Sequence, residues 1–196
     1  QVAEVLAPIA EYPEIQFSLK MRLGWENASE CMVLVELLNT LRLSRIALHA
    51  RTGKQQYKGH PDLEAFQGFY ELCQHPLYYN GGIESLSDIR QILIRFPLLK
   101  GVFIGRGLLS SPLLAKEFKG NETFLPEQRM SIYFAFHEEL FSAYSQVLQG
   151  ETQLLVKMKT LWEYFLPETD RKLLKRIKKS TRLQQYTESV KAIFTS

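Results

Sequence analysis

Apolar and polar residues alternate in short stretches of the first 119 residues, and a stretch with helical periodicity follows each of them. Alternation with a period of two is typical of a strand that has one buried and one polar face. In the first stretch the polar face carries Lys20 and Arg22. Because this arrangement repeats, we predict parallel strands joined by helices, with the strands at residues 15–22, 45–51, 76–80 and 101–105.

Apolar residues spaced three and four positions apart predict the helices that join these strands. Pro61 suits the first turn of one helix, and Ser85 with Asp88 is typical of the start of another. We expect these helices at residues 2–9, 26–41, 61–73 and 85–96. In the second of them the periodicity predicts an apolar face of Val33, Leu34, Leu37, Leu38 and Leu41.

The strand pattern stops near residue 120, and only helical patterns follow. Gly150, Pro167 and the Ser180-Thr181 break separate predicted helices at residues 126–148, 152–165, 169–179 and 183–194. Four strand-helix units are half of what a closed (β/α)8 barrel of about 250 residues needs. We therefore predict an α/β protein with the C-terminal half of a (β/α)8 TIM barrel at residues 1–119 and an all-α helical domain at residues 120–196.

Polar residues and glycines stand where the predicted strands end. In a barrel the carboxyl ends of the strands carry the chemistry, so Lys20, His49, Asn80 and Gly105 with Arg106 should converge. Glycine turns let the backbone approach an anion, and an arginine adds a fork of donors. This set predicts a phosphorylated, electron-rich ligand such as a flavin, with a lysine to stabilise negative charge on the ring. Taken singly, each residue could instead be structural.

Composition and charge narrow the class of protein. The chain is 45% apolar and 12% aromatic, which is enough for a core, and no apolar run approaches the roughly 18 residues of a membrane span. Without a signal peptide the cytoplasm is expected. Cys31 and Cys73 form no CxxC pattern, so we expect reduced thiols and no metal site. The chain starts without methionine, which suggests that it is part of something longer.

Positive charge is concentrated beyond residue 150, where ten basic and five acidic residues occur. The densest run contains Arg171, Lys172, Lys175, Arg176, Lys178 and Lys179. Such a run predicts either an RNA-binding surface or an ordinary solvated helix face, and the pattern leaves both open. Trp162 and Tyr164, at helical spacing just before it, could stack on bases or belong to the core.

Four motifs resemble those of tRNA-dihydrouridine synthases: residues 20–25 (KMRLGW), residues 49–52 with 56–59 (HART and QYKG), residues 80–83 (NGGI) and residues 104–107 (IGRG). Their order and spacing agree with that family, and residues 157–165 resemble the start of its helical domain. The resemblance implies an FMN-dependent enzyme that reduces the C5=C6 bond of uridines in tRNA with NADPH.

The resemblance also implies roles for individual residues. Lys20 and His49 would contact the flavin, and Asn80, Gly81 and Gly82 would lie along its ribityl phosphate. Gly105 and Arg106 would bind the phosphate itself. From their charge rather than from the resemblance, the residues expected to contact tRNA are Arg22, Arg51, Lys175, Arg176, Lys178 and Lys179.

The sequence departs from the family in two places. Gly82 stands where the family usually has an acidic residue, which removes a side-chain contact but no backbone contact. Cys31 and Cys73 do not stand where the proton-donating cysteine would, so we expect that cysteine upstream, assign no catalytic residue to this chain and expect it to be inactive alone. Another FMN- or phosphate-binding barrel oxidoreductase, of the dihydroorotate-dehydrogenase kind, and a non-catalytic RNA-binding fragment remain as alternatives.

A half barrel also exposes strand edges. The first and last strands would each lack a neighbour and would present unpaired backbone groups and apolar side chains. We therefore predict a homodimer or a larger assembly, in which the first strand of one copy pairs with the last strand of the other. The competing outcome is that helices of the same chain cover these edges.

Overall fold

The computed structural model describes residues 2–195 and divides the chain into two compact units, the first ending at Gly105 and the second beginning at Arg106. The first unit contains a parallel four-stranded sheet flanked by helices, and the second is helical. The predicted α/β class is therefore confirmed. The division between the units precedes residue 119, where we placed the end of the first functional domain, and those functional domains stay a prediction.

The sheet of the first unit has the order β1-β2-β3-β4, with every pair parallel. Each strand is thus hydrogen-bonded to the strand that follows it in the sequence, as successive βαβ units require. Its elements are α1 (Val2–Leu6), α2 (Pro8–Glu11), β1 (Phe17–Gly24), α3 (Glu30–Asn39), β2 (Leu43–Thr52), α4 (Leu63–Leu72), β3 (Leu77–Asn80), α5 (Leu86–Arg95) and β4 (Gly101–Phe103).

The register of the sheet places one row of residues side by side near the carboxyl ends of the strands. Arg22 of β1 is opposite His49 of β2, and His49 is opposite Asn80 of β3. Asn80 in turn is opposite Phe103 of β4. Because side chains alternate between the faces of a sheet, these four side chains share one face.

The opposite face of the sheet packs against the helices. Tyr79 of β3 meets Phe66 of α4 with 4.9 Å between ring centroids, and Phe66 meets Phe96 at 5.0 Å. Both contacts are edge-to-face, an arrangement that aromatic pairs favour. An aromatic cluster thus joins α4 and the end of α5 to the sheet.

The buried face of α3 differs from the expected one. Cys31, Val35 and Leu38 are buried, whereas Val33 is 82% exposed and Leu37 is also exposed. The expectation for Val33 and Leu37 was wrong because α3 is apolar on more than one side, so its periodicity did not decide which side faces the sheet.

Capping side chains explain where several helices begin. Ser85 and Asp88 form the expected capping box at α5, and Asp62 accepts the Ala65 N–H at the start of α4. The helix expected from residue 26 begins instead at Glu30, because the Glu30 carboxylate binds backbone N–H groups of the preceding turn. The helix expected at residues 2–9 is split into α1 and α2 at Pro8, which has no N–H to donate.

The second unit buries a core of aromatic and aliphatic side chains between its helices. Trp162 is 2% exposed and Phe165 is fully buried, so Trp162 belongs to the core, and the alternative that it stacks on bases is wrong. The helices of this unit are α6 (Arg106–Ser110), α7 (Leu114–Gly120), α8 (Pro126–Val147), α9 (Glu151–Leu161), α10 (Arg171–Lys179) and α11 (Leu183–Phe194). Among residues 2–195, no helix combines the length and the apolar character that crossing a membrane requires.

Candidate functional site

The carboxyl edge of the sheet gathers polar side chains on one face. Arg22, His49 and Asn80 belong to the aligned row and share that face. Lys20 lies two positions before Arg22, and Arg51 lies two positions after His49. Because side chains alternate along a strand, both also lie on that face. Lys20 is exposed, whereas His49 and Arg51 are buried. The structure therefore brings together the strand-end residues that the sequence singled out in the first unit.

His49 has a defined tautomer in this arrangement. Its Nε2 lies 3.2 Å from Nη1 of Arg51, and a guanidinium can only donate. Nε2 therefore accepts, and the neutral imidazole carries its proton on Nδ1. Arg51 also donates from Nη2 to the Gly59 carbonyl at 3.1 Å, so one arginine fixes both the ring and the loop after β2.

Arg22 fixes the same loop from β1. Its Nη1 donates to the carbonyls of Thr52 at 2.8 Å and Gln56 at 3.1 Å. The loop at residues 52–60 is therefore held by two of the three arginines that the sequence assigned to RNA. These contacts give Arg22 and Arg51 a role within the protein, and their contact with RNA stays a prediction.

Asn80 and the glycines after β3 shape the edge of the sheet. The Asn80 amide donates to the Phe103 carbonyl at 2.8 Å and ties β3 to β4. Gly81 and Gly82 have φ angles of 137° and 60°, a region that residues with a side chain rarely adopt. A Cβ at Gly82 would lie 3.0 Å from the Pro61 ring, so there is little room for a larger residue at this turn.

Gly105 is the last residue of the first unit, and the space beside its Cα is open. Among the described residues, no heavy atom outside its chain neighbours would lie within 4 Å of a Cβ at Gly105. Its backbone is thus accessible to a ligand. Arg106 is the first residue of α6 and belongs to the second unit. That it lies near the strand-end residues of the first unit is therefore a prediction from the sequence alone.

A basic groove runs between α10 and α11 of the second unit. It has a volume of 410 Å³, and its basic residues are Lys172, Lys175, Arg176 and Lys179. Ile177, buried on the other side of α10, anchors that helix to the core. Lys178 is exposed but does not line the groove.

Lys172 and Gln185 also line this groove, although the sequence assigned them no role. Three of the basic residues follow Lys172 by three, four and seven positions: Lys175, Arg176 and Lys179. This spacing places all four side chains on one side of a helix. That spacing is the signal that could have added Lys172. Gln185 comes from α11, and no local pattern indicates its position.

Neither cysteine lies on a strand of the sheet. Cys31 is 1% exposed in α3, and burial raises the pKa of its thiol to about 11. Cys73 lies between α4 and β3, at the amino edge of the sheet, and burial raises its pKa as well. Both are free thiols, as the sequence predicted. In the described part of the chain, His, Cys, Asp and Glu side chains form no group of three that could hold a metal ion.

Comparison with known proteins supplies a family context. The sequence pattern that describes dihydrouridine synthases matches residues 1–195. A probable tRNA-dihydrouridine synthase of Aquifex aeolicus (strain VF5) is 34% identical over 119 residues, which cover 61% of this chain and 36% of that protein. One from Rhizobium leguminosarum bv. phaseoli is 34% identical over 100 residues, 50% of this chain and 31% of that protein.

A third relative is the tRNA-dihydrouridine synthase B of Vibrio vulnificus (strain CMCP6). It is 24% identical over 130 residues, which cover 64% of this chain and 40% of the relative. The chain thus spans about a third to two fifths of the length of these curated relatives.

Proposed function

Since the chain belongs to the dihydrouridine synthase family, we propose that it supplies the flavin-binding edge and the tRNA-binding helices of an enzyme that forms dihydrouridine in tRNA. The reaction adds two hydrogens across the C5=C6 bond of a uridine, with NADPH as the source of the electrons. The observation that carries the proposal is the row of Arg22, His49 and Asn80 beside the glycine turns at one edge of a parallel sheet.

The four-stranded sheet is, in this proposal, half of a (β/α)8 barrel. Its consecutive parallel order β1-β2-β3-β4 is that of successive barrel units. The polar face with Lys20 and His49 would then line the interior, and the aromatic face with Tyr79 would meet the outer helices. The second unit would form the helical domain of the enzyme.

The residues at the carboxyl edge fit FMN. Lys20 is an exposed cation, His49 carries its proton on Nδ1, and Gly105 leaves its backbone open to a phosphate. Lys20 and His49 would hold the ring, Asn80, Gly81 and Gly82 the ribityl phosphate, and Gly105 with Arg106 the phosphate group. When bound, FMN supplies hydride chemistry that no side chain can provide.

The protein's own contributions are orientation and charge. A cation at Lys20 would stabilise negative charge on a flavin ring beside it. The contact with Arg51 keeps the proton of the His49 imidazole on Nδ1. Cys31 is buried in the first turn of α3 and Cys73 lies at the amino edge of the sheet, so we propose neither thiol as proton donor to the uridine. We therefore propose that this chain alone does not catalyse the reaction, and we place the complete enzyme in the cytoplasm.

tRNA would bind along the basic groove between α10 and α11. Each phosphate contact by Lys or Arg releases counterions and makes the affinity depend on salt. Four cations and one carboxylate, Glu188, line the groove, and this excess of positive charge fits a phosphate backbone.

Charge reversal on α10 tests the tRNA-binding part of the proposal. A variant with Glu at Lys175, Arg176, Lys178 and Lys179 should bind tRNA more weakly, and its affinity should depend less on salt. The control carries Glu at four exposed basic residues of the first unit, Arg42, Arg45, Arg90 and Lys100, and has the same net charge. Equal affinity and equal salt dependence in both variants would reject the groove.

Lys20→Ala and Arg106→Ala test the flavin-binding part. In a protein that retains flavin, Lys20→Ala should lower flavin content by removing charge beside the ring, and Arg106→Ala by removing a phosphate donor. Lys100→Ala, which removes an exposed lysine before β4, is the control. Unchanged flavin content in Lys20→Ala and Arg106→Ala would remove both residues from the site.

The edges of the sheet support a further part of the proposal, self-association of the isolated chain. β1 and β4 are the outer strands of the sheet as described, and an outer strand presents unpaired N–H and C=O groups. We propose that two copies pair β1 with β4. Light scattering over a dilution series should show a dimer or larger species, and a monomer at every concentration would contradict this.

A further inference from the structure

Trp25 and Tyr57 are exposed on the loops that follow β1 and β2. Trp25 is 65% exposed and Tyr57 is 61% exposed. Aromatic rings contribute most to stability when they are buried, so large rings left in solvent at one edge of a sheet point to a contact surface. Both residues belong to motifs that were identified in the sequence, but no role was predicted for either.

Trp25 is held in place by its surroundings. Its N–H donates to Oε2 of Glu30 at 2.8 Å, and its carbonyl accepts the Lys54 N–H at 2.9 Å. The indole lies directly against Gly53, where a Cβ would come within 2.3 Å of Cε3 of the ring. Only glycine allows this contact, so Trp25 is exposed on one side and supported on the other.

The Glu30 carboxylate strengthens this support. It also accepts the N–H groups of Asn27 at 2.7 Å and Glu26 at 3.0 Å. These backbone bonds, that from Asn27 first, lower the pKa of Glu30. The turn that presents Trp25 is therefore ordered by a side chain that stays ionised at neutral pH.

Tyr57 lies on a loop that is fixed in the same way. The guanidinium carbon of Arg22 is 5.8 Å from the centroid of the Tyr57 ring, a cation-π distance. The Gln55 side chain donates to the carbonyls of Lys58 and His60, each at 2.9 Å. A ring fixed in advance loses little conformational entropy when a ligand stacks on it.

The charge of the loop that carries Tyr57 favours a polyanion, whereas the turn that carries Trp25 contains Glu30 and Glu26, the latter paired with Lys54. Residues 49–60 contain Arg51, Lys54 and Lys58 but no Asp or Glu. Exposed aromatic rings beside cations are the means by which proteins hold unpaired nucleotides, since every base has a face on which it can stack. A protein partner would need an acidic surface, for which nothing in this structure argues.

We propose that Trp25 and Tyr57 form a stacking surface for unpaired nucleotides of the RNA substrate. The inference rests on the proposed function, because it names a second place where tRNA is held, on the unit that carries the candidate flavin site. The basic groove would bind the phosphate backbone, and the rings at the sheet edge would bind bases.

Tryptophan fluorescence gives a direct test, because the chain has only two tryptophans and Trp162 is 2% exposed. A short single-stranded uridine oligonucleotide and, separately, tRNA are titrated into the 196-residue chain. Stacking on Trp25 should quench its emission to a saturating level. In Trp25→Phe the remaining emission, from buried Trp162, should not respond to RNA.

Alanine variants test the contribution of each ring. Loss of one base-aromatic stack, worth about 1–3 kcal/mol, should weaken oligonucleotide binding about five-fold or more in Trp25→Ala and in Tyr57→Ala. Tyr12→Ala is the matched control, because Tyr12 is an exposed tyrosine ahead of β1. Its affinity should equal that of the parent chain.

The outcomes separate this inference from the proposed function. Salt-dependent tRNA binding with unchanged tryptophan emission and unchanged affinity in both alanine variants would overturn the stacking surface and leave the groove in place. Variants that change self-association but not RNA affinity would assign the surface to a protein contact and also overturn the inference. No binding of either RNA would overturn the inference and the proposed tRNA binding together.

Discussion

The two tryptophans of this chain serve the two units in opposite ways. Trp25 of the first unit lies on the surface against Gly53, whereas Trp162 of the second unit is buried and donates from Nε1 to the Tyr186 hydroxyl at 3.0 Å. The first unit uses hydrogen bonds to fix exposed loops around a candidate site. The second unit uses them to satisfy polar atoms inside a core, and its charged residues face solvent on α10.

The two units differ in the role of their buried polar groups. His137 is 1% exposed, and its Nε2 lies 2.6 Å from the Tyr186 hydroxyl. Because His137 Nδ1 donates to Glu138 Oε1 at 3.2 Å, Nε2 of the neutral ring accepts, and the Tyr186 hydroxyl donates to it while accepting the Trp162 N–H. A buried histidine in the second unit is therefore a satisfied core residue, whereas His49, aligned with Arg22 and Asn80, lies at the edge that would bind a ligand.

The largest effect should come from the aromatic cluster that joins α4 and the end of α5 to the sheet. Phe66→Ala removes a fully buried ring that contacts Tyr79 and Phe96, and should lower the free energy of unfolding by about 3–5 kcal/mol. Denaturant unfolding measures it. Leu98→Ala, at an exposed position, should change the stability by less than about 0.5 kcal/mol. Similar losses in both variants would contradict the described core.

Tyr186→Phe should have the next largest effect, on the second unit. It removes the hydroxyl that pairs with Trp162 and His137 and leaves two buried polar atoms unsatisfied, at a cost of about 1–3 kcal/mol. Tyr164→Phe, which changes a partly exposed tyrosine, serves as the control. Equal stability of Tyr186→Phe and the parent chain would show that the buried network contributes nothing.

A pH dependence should accompany this network. Burial lowers the pKa of His137, and its contact with Glu138 offsets only part of that shift. The unfolded chain therefore binds a proton at a higher pH than the folded chain, so stability is complete above about pH 6.5 and is lost as the pH falls below it. Unfolding at several pH values measures this loss, which His137→Gln should reduce. Stability that rises on acidification would contradict it.

Gly53→Ala should have the smallest effect on stability but a clear one on Trp25. A Cβ at Gly53 would lie 2.3 Å from the indole, so the ring must move into solvent and become easier for acrylamide to quench. Gly105→Ala is the control, since a Cβ there meets open space. Identical quenching in Gly53→Ala and the parent chain would mean that Gly53 does not support the ring.

Periodicity and capping signals predicted most elements of the fold. The alternation in β1 and β2 placed Lys20 and His49 on one face, and Ser85 with Asp88 marked the start of α5, because both signals are local. The side of α3 that faces the sheet was missed, since Val33 and Val35 are equally apolar and only packing selects Val35.

The side-chain contacts that hold the loops could not be predicted from the sequence either. Arg22 and Arg51 donate to carbonyls of the 52–60 loop, and such side-chain to backbone bonds follow no period. The contact of Trp25 with Gly53 joins loops that lie after two different strands. Residues were therefore predicted at the correct edge of the sheet, but their contacts there were not.

Equilibrium titrations of this chain with FMN and with riboflavin test the phosphate site at the carboxyl edge. If the glycine turns at the carboxyl edge hold the phosphate end of a flavin, FMN should bind weakly, and riboflavin, which lacks the phosphate, should bind about ten-fold more weakly or worse. Equal affinity for the two flavins, or no binding of FMN, would contradict a phosphate site at this edge.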